Sequence, residues 1–361
     1  MRRSNLFSYV FSLAITLITL FVSIYVCNMR YGGVMIEAVL KFIVGAIFAG
    51  LINAFCHELG HLFAGKKNGF ALSEISVWFF NWKKVGKKLK FSIVMFGDQA
   101  GYTEMIPTTN DNLKKRYSNM TRGGLIASFI VMILGIPPFF MAFLPVWIYV
   151  LWVMFLPIGA YYFFGNLLPV SSFGIKNDGA VLSSMKREDD SAKVTLNLLA
   201  VQAELYNGKT PSEIDKSLYF DLPQLPEDDF TFAMLLNAQY AYYLDAQDFD
   251  NAKRTTKRLL SLEEYLPKSF MSVIKTDALY NACTFDFDED EADSLMYELE
   301  KYLNNINTAT NVRVKLAYLI GVAQESEGLD IFFEKGYKEA DRIQIKGLSA
   351  FERKLLDRLK A

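Results

Sequence analysis

The chain holds two histidines among its 361 residues, and they stand four apart in His57-Glu58-Leu59-Gly60-His61. On an α-helix this spacing puts both imidazoles on one face, close enough to share a metal ion. Glu58 leaves the adjacent side of the same turn, within reach of a metal-bound water. Two imidazoles and a neighbouring carboxylate are the groups of metal-assisted hydrolysis, in which the ion polarises and the carboxylate moves a proton. A catalytic zinc takes three protein ligands and keeps one position open. With no third histidine, the missing ligand must be a carboxylate or a cysteine. Cys27, Cys56 and Cys283 show no paired spacing, and Cys56 reads as a packing residue. Among the acids, Glu37 precedes the motif helix at its opposite end, Glu74, Asp98 and Glu104 fall in a strand-like segment, and Asp111 lies in a polar linker. Asp178 follows the last apolar run on the side of the histidines. Elimination favours Asp178 and leaves Glu104 open.

The elements that must position these groups are membrane-like. The chain is 52% hydrophobic and 15% aromatic, an excess concentrated in its first half. Four apolar runs, about residues 6–27, 42–64, 123–143 and 146–168, reach bilayer-spanning length. The first follows Arg2 and Arg3, but it exceeds a signal-peptide core and no small-residue cleavage site follows, so a retained helix is expected. The second carries the histidine motif. Pro137-Pro138 should kink or shorten the third, and a short turn at Leu144-Pro145 should make the last two an antiparallel hairpin. A glutamate inside such a run is costly unless a metal or partner compensates it. Lysines and arginines crowd the segment from Lys66 to Arg122, whereas the loop before the second run offers only Arg30 and Lys41. The positive-inside rule therefore places that segment, both termini and everything beyond Leu168 in the cytoplasm.

Within the basic segment, residues 73–80, 88–96 and 100–106 alternate and are rich in β-formers, which predicts short strands, the first two joined by a turn near Val85-Gly86-Lys87. From about Lys186 the pattern becomes charged and amphipathic, with helices expected at 191–206, 228–245, 249–265, 267–283, 289–304, 311–326, 331–343 and 348–359. Residues 236–267 resemble a tetratricopeptide-type helix pair, and a generic helical bundle is the equal alternative. The expected fold is mainly α: an N-terminal transmembrane helix (1–30), a membrane core of further helices with a small β segment (31–185), and a cytosolic α-helical domain (186–361). A net charge of −1 gives no global attraction to nucleic acid.

These motifs resemble those of the site-2 protease family of intramembrane zinc metalloproteases. The His-Glu-x-x-His motif matches residues 57–61, and the family's Asn-x-x-Pro followed by Asp-Gly matches Asn166-Leu167-Leu168-Pro169 and Asp178-Gly179. Gly101-Tyr102-Thr103-Glu104-Met105 is similar to the Gly-Tyr-Val segment of the family's membrane-associated strand, and Gly123-Gly124 to its Gly-Pro. One departure is a longer loop, since Asp178 comes nine residues after Pro169 and the family commonly has its aspartate nearer the proline. The resemblance implies a zinc endopeptidase in which His57, His61 and Asp178 hold Zn2+ and Glu58 is the general base. It further implies that Asn166 stabilises the oxyanion or holds substrate, and that the strand with Gly101 and Tyr102 takes an extended substrate by β-augmentation. The implied partner is a membrane-embedded or membrane-associated peptide, with the cytosolic helices recruiting it or a protein partner; the short outer loops suggest a bacterial plasma membrane. The competing reading is a non-proteolytic, metal-binding membrane adaptor acting through its helical domain.

Overall fold

The computed structural model describes residues 3–32, 36–94, 101–172, 174–306, 308–324 and 328–360. Of the acids weighed above, Asp98 and the Glu37 side chain lie outside the described set, as do residues 95, 96 and 100 of the expected strands.

Among the described residues, four helices are long and apolar enough to cross a membrane: Asn5–Tyr31, Val39–Lys67, Leu113–Phe140 and Val146–Leu167. The first lies within α1 (Arg3–Tyr31) and the second within α2 (Ile36–Lys67). The third is α3 (Leu113–Leu134) followed by a 3-10 turn at Pro137–Phe140, because the two prolines cannot continue the α ladder. It begins about ten residues before the apolar run itself, since Lys114, Lys115 and Arg116 extend the helix out of the apolar layer. The fourth divides at Met154 into α4 (Val146–Val153) and α5 (Phe155–Leu167), where Pro157 withholds an N–H from the ladder. Their outward faces are bare leucine, isoleucine, valine and phenylalanine, as lipid requires. Ser12, Thr16, Thr19 and Ser23 of α1 donate back to carbonyls one turn earlier, which removes unsatisfied hydroxyls from the apolar layer.

The helices run up and down. Asn5 donates to the Ser171 carbonyl at one end (2.8 Å), while Tyr31 donates to the Leu144 carbonyl at the other (2.6 Å). Helices α2 and α3 cross so closely that a Cβ on Gly60 would fall 2.3 Å from the Gly123 carbonyl oxygen. That approach sets the motif face of α2 against α3.

At the end of α2 the chain forms a four-stranded antiparallel sheet in the order β3-β2-β1-β4. Its strands are β1 (Phe70–Val77), β2 (Phe80–Val85), β3 (Lys88–Ile93) and β4 (Gly101–Pro107). The sequence reading merged β1 with part of β2. Trp78 takes a left-handed φ of 53° and turns the chain there, a conformation that a β-rich aromatic run does not advertise. The turn at Val85-Gly86-Lys87 accordingly joins β2 to β3 rather than β1 to the next strand, with Gly86 at φ 59°. Among the described residues β4 is an edge strand.

After α5 comes a small hairpin, β5 (Ser171–Ser172) and β6 (Ile175–Lys176), followed by α6 (Asp178–Arg187), a helix absent from the expected set. The C-terminal region is helical: α7 (Asp190–Asn207), α8 (Ser217–Phe220), α9 (Phe230–Asp245), α10 (Phe249–Leu260), α11 (Lys268–Thr284), α12 (Glu289–Asn305), α13 (Ala309–Gly321), α14 (Leu329–Ala340) and α15 (Lys346–Lys360). Side chains of Asp189, Asp229, Asp248, Asp288 and Thr308 cap the N-termini of α7, α9, α10, α12 and α13, which explains why these helices start where they do. Tyr240, Leu244, Leu279, Leu299, Leu303, Val314 and Leu355 fill its main core. The helices sit on the sheet end of the bundle. Leu199 of α7 packs with Phe70, Met105 and Met120, and Gly86 donates to the Arg342 carbonyl (2.7 Å).

Candidate metal centre and active-site cavity

Helix α2 presents His57, Glu58 and His61 toward α3 and β4, and both His57 and Glu58 are 6% exposed. The His57 Nδ1 meets the Ser128 hydroxyl at 2.9 Å, and the His61 Nδ1 meets the Met120 carbonyl oxygen at 3.1 Å. A carbonyl only accepts, so His61 carries its proton on Nδ1 and turns a lone pair inward on Nε2. The two Nε2 atoms lie 3.1 Å apart, and Asp178 Oδ2 lies 3.3 Å from each.

Asp178 is brought there by α6. Asn177 caps that helix, its Oδ1 accepting from the Ala180 N–H (2.9 Å), while its amide donates to the carbonyls of Gly165 (2.7 Å) and Leu168 (2.8 Å) at the end of α5. The start of α6 thus lies against α5 so closely that a Cβ on Gly179 would fall 2.1 Å from the Leu167 carbonyl oxygen. This close approach is a physical reason for glycine after the aspartate.

Among the described residues, His57, His61 and Asp178 form a group whose ligand atoms converge for a metal ion. Three observations test the fit. Asp178 Oδ2 is buried and accepts no hydrogen bond. Three electron-rich atoms facing one another at 3.1–3.3 Å repel unless a cation lies between them, and tetrahedral zinc with arms of about 2.0–2.1 Å spaces its ligands by roughly 3.3 Å. Finally, α3 leaves room: a Cβ on Gly124 would fall 2.3 Å from His61 Nε2. Two neutral imidazoles and one carboxylate are a zinc donor set, and the residues fit the ion.

Glu58 is held apart from the three. Its Oε2 accepts from the Thr103 hydroxyl of β4 (2.7 Å), and Gly101 lies over Oε1, where a Cβ would fall 2.9 Å away. Tyr102 and Glu104 alternate to the other face of the strand, where the Tyr102 hydroxyl donates to Glu74 and Glu104 Oε2 accepts from Ser73 (3.0 Å). Burial raises the Glu74 carboxyl, and Tyr102, Lys83 and Asn81 together bring it below its ordinary value. Glu104 therefore points away from the imidazoles.

The imidazoles, Glu58 and Asp178 border one cavity of about 780 Å³. It is lined by His57, Glu58, His61 and Asp178, by Gly101, Tyr102 and Thr103 of β4, by Asn166, and by Leu266, Pro267 and Lys268 just before α11. Asn166 borders the cavity and donates its amide to the Tyr162 carbonyl of its own helix (2.9 Å).

A helix-borne histidine pair, a buried carboxylate beside it and four membrane-length helices now meet a direct comparison: the model of peptidase family M50 matches residues 45–334. The chain belongs to family M50. This is the site-2 protease family, and its members are intramembrane zinc metallopeptidases, so the chain is a multi-pass membrane protein with a peptide substrate and a metal cofactor. Neither the curated proteins nor the solved structures searched yield a match.

Four residues around the candidate site were not among those expected from the sequence: Thr103, Gly124, Ser128 and Asn177. Thr103 and Gly124 stood inside segments already resembling the family's strand and Gly-Pro, so their neighbourhood carried a signal. Ser128 and Asn177 carried none, because a lone serine in an apolar helix and an asparagine before a helix are common.

Proposed function

We propose that His57, His61 and Asp178 hold a zinc ion and that Glu58 is the general base of a peptidase acting on membrane-embedded or membrane-associated peptides. When bound, zinc supplies Lewis acidity that makes water nucleophilic near neutral pH and polarises the scissile carbonyl. Glu58 takes a proton from the attacking water and passes it to the leaving amine, so water and a peptide bond become a carboxylate and an amine terminus. Thr103 holds one oxygen of Glu58, whose side chain borders the cavity. A substrate helix must unwind before attack, and the outer side of β4, an edge strand among the described residues, offers backbone groups near Gly101 and Tyr102 to an extended strand. Asn166 borders the same cavity and orients that strand or its developing oxyanion.

The carrying observation is the convergence of three lone-pair atoms beside a separately held carboxylate in one cavity. The basic segment Lys66–Arg122 and the helical region share one end of the bundle, which by charge faces the cytoplasm of a bacterial cell. On this reading the chain divides into an N-terminal helix (1–30), a protease core (31–185) and a cytosolic helical domain (186–361). In that domain, helix pairs α9/α10, α11/α12 and α13/α14 follow in series, as a tetratricopeptide-like array for partner binding requires. Reconstituted protein incubated with a panel of transmembrane-helix peptides tests the peptidase. Glu58→Gln should lower cleavage by about 10²–10⁴-fold while keeping its zinc. Cleavage that survives this change removes Glu58 from the mechanism.

A further inference from the structure

Asp178 reaches the imidazoles at the end of a hairpin, and that hairpin is tied down at two points. Its neck is closed by Asn177, whose backbone N–H donates to the Val170 carbonyl (3.0 Å) and whose side chain accepts from the Val170 N–H (3.0 Å). Its tip lies against the helical region. Gly174, at φ 73°, is pressed so close that a Cβ would fall 2.4 Å from the Asp228 carbonyl oxygen. Lys176 Nζ pairs with Asp229 Oδ2 at 2.8 Å and donates to Ser191, with both charged side chains largely buried. Asp229 meanwhile caps α9 through its other oxygen, which accepts from the Thr231 N–H (3.0 Å).

Lys176 is two residues from Asp178. A nine-residue connection from Pro169 to the ligand has conformational freedom that a metal site tolerates poorly, since useful ligand geometry is held within about 0.5 Å. A clamp at the neck alone leaves the β6 strand free to swing about Asn177. A second clamp, set by a charge on α9, removes that motion. We propose that Lys176 and Asp229 are positioning residues through which the helical region sets the Asp178 carboxylate against His57 and His61. The lengthened loop is then the means by which this chain wires its metal site to its C-terminal helices. Residues 266–268, on the same helical region, border the cavity as well, so displacement of α9 and α11 reaches both ligand and substrate space.

The proposal rests on the reading of Asp178 as a zinc ligand, and its test separates the two. Zinc affinity of the full-length protein in detergent is measured by competition with a chromophoric chelator, alongside the visible absorption of the Co2+-loaded form. Asp229→Asn keeps an oxygen to cap α9 and removes the charge, whereas Lys176→Met removes the other charge and Lys176→Arg retains it. Asp229→Asn and Lys176→Met should each weaken zinc binding about tenfold and alter the cobalt bands, with the double variant no worse than either. Lys176→Arg should restore near-native affinity. Native affinity, within about twofold, in both charge-removing variants overturns the proposal, provided Asp178→Asn loses zinc in the same assay. Equal impairment of Lys176→Arg and Lys176→Met also overturns it, since the charge would then be irrelevant. Retention of zinc by Asp178→Asn instead sinks the ligand assignment itself.

Discussion

In the membrane-spanning half, His57, His61 and Asp178 turn three acceptor atoms on one another at 3.1–3.3 Å and border a cavity. In the helical half, Arg313 is buried against Glu352, Nε to Oε2 at 2.8 Å, with Thr310 donating to the other carboxylate oxygen at 2.6 Å and the Tyr280 ring 4.1 Å from the guanidinium. Both places bury charge, yet only the second supplies the opposite charge from its own side chains. A buried cluster that answers its own charge holds helices together. One that leaves like-signed atoms converging asks for something from outside, and here the cavity gives that something access.

The most direct break in this contrast comes from filling the space kept for the ion. Gly124→Ala places a methyl where His61 Nε2 stands and should lower zinc affinity more than about 100-fold. Equilibrium dialysis measures it, and hydrogen exchange in α11, α13 and α15 should stay unchanged. Next comes Arg313→Met, which strands Glu352 in the helical core and should destabilise it by about 3–5 kcal/mol. The same exchange experiment should show α13 and α15 opening, while zinc affinity holds; a loss of zinc would erase the distinction between the two clusters. Thr103→Val removes the hydroxyl from Glu58 without changing volume much. Turnover should fall about tenfold with KM and zinc content unchanged, because the carboxylate is freed but no ligand moves.

The smallest effect concerns Asp277, which faces Arg313 and Glu352. Burial pushes its carboxyl up to about 7, with Arg313 opposing and Glu352 adding to the shift. A carboxyl raised on folding contributes stability that is full below about pH 4 and fades as pH rises through about 7. Asp277→Asn should flatten that decline, worth about 1–2 kcal/mol after allowance for its partial exposure. A slope unchanged between pH 4 and 7 in exchange of α11 would assign the pH response elsewhere.

Much of the site was legible because it is local. The histidine pair and Glu58 depend on one helical turn, and the scarcity of histidine forced the search toward a carboxylate. The helices of the C-terminal region were legible within a few residues because their apolar period and aspartate caps are local too, as at Asp248 and Asp288. The β1–β2 turn was not, since Trp78 adopts its left-handed backbone only where the sheet demands it.

What the sequence determined by itself was the chemistry on offer: two imidazoles and a carboxylate at helical spacing within an apolar run, and an aspartate downstream. What only the tertiary structure decided was their environment. Ser128 meets His57 across 71 residues, Thr103 meets Glu58 across 45, and Asp229 meets Lys176 across 53. Such pairings leave no local periodicity. They come from the crossing of α2 and α3 at Gly60 and Gly123, the edge position of β4 and the docking of the helices on the hairpin, where packing alone selects which distant groups touch.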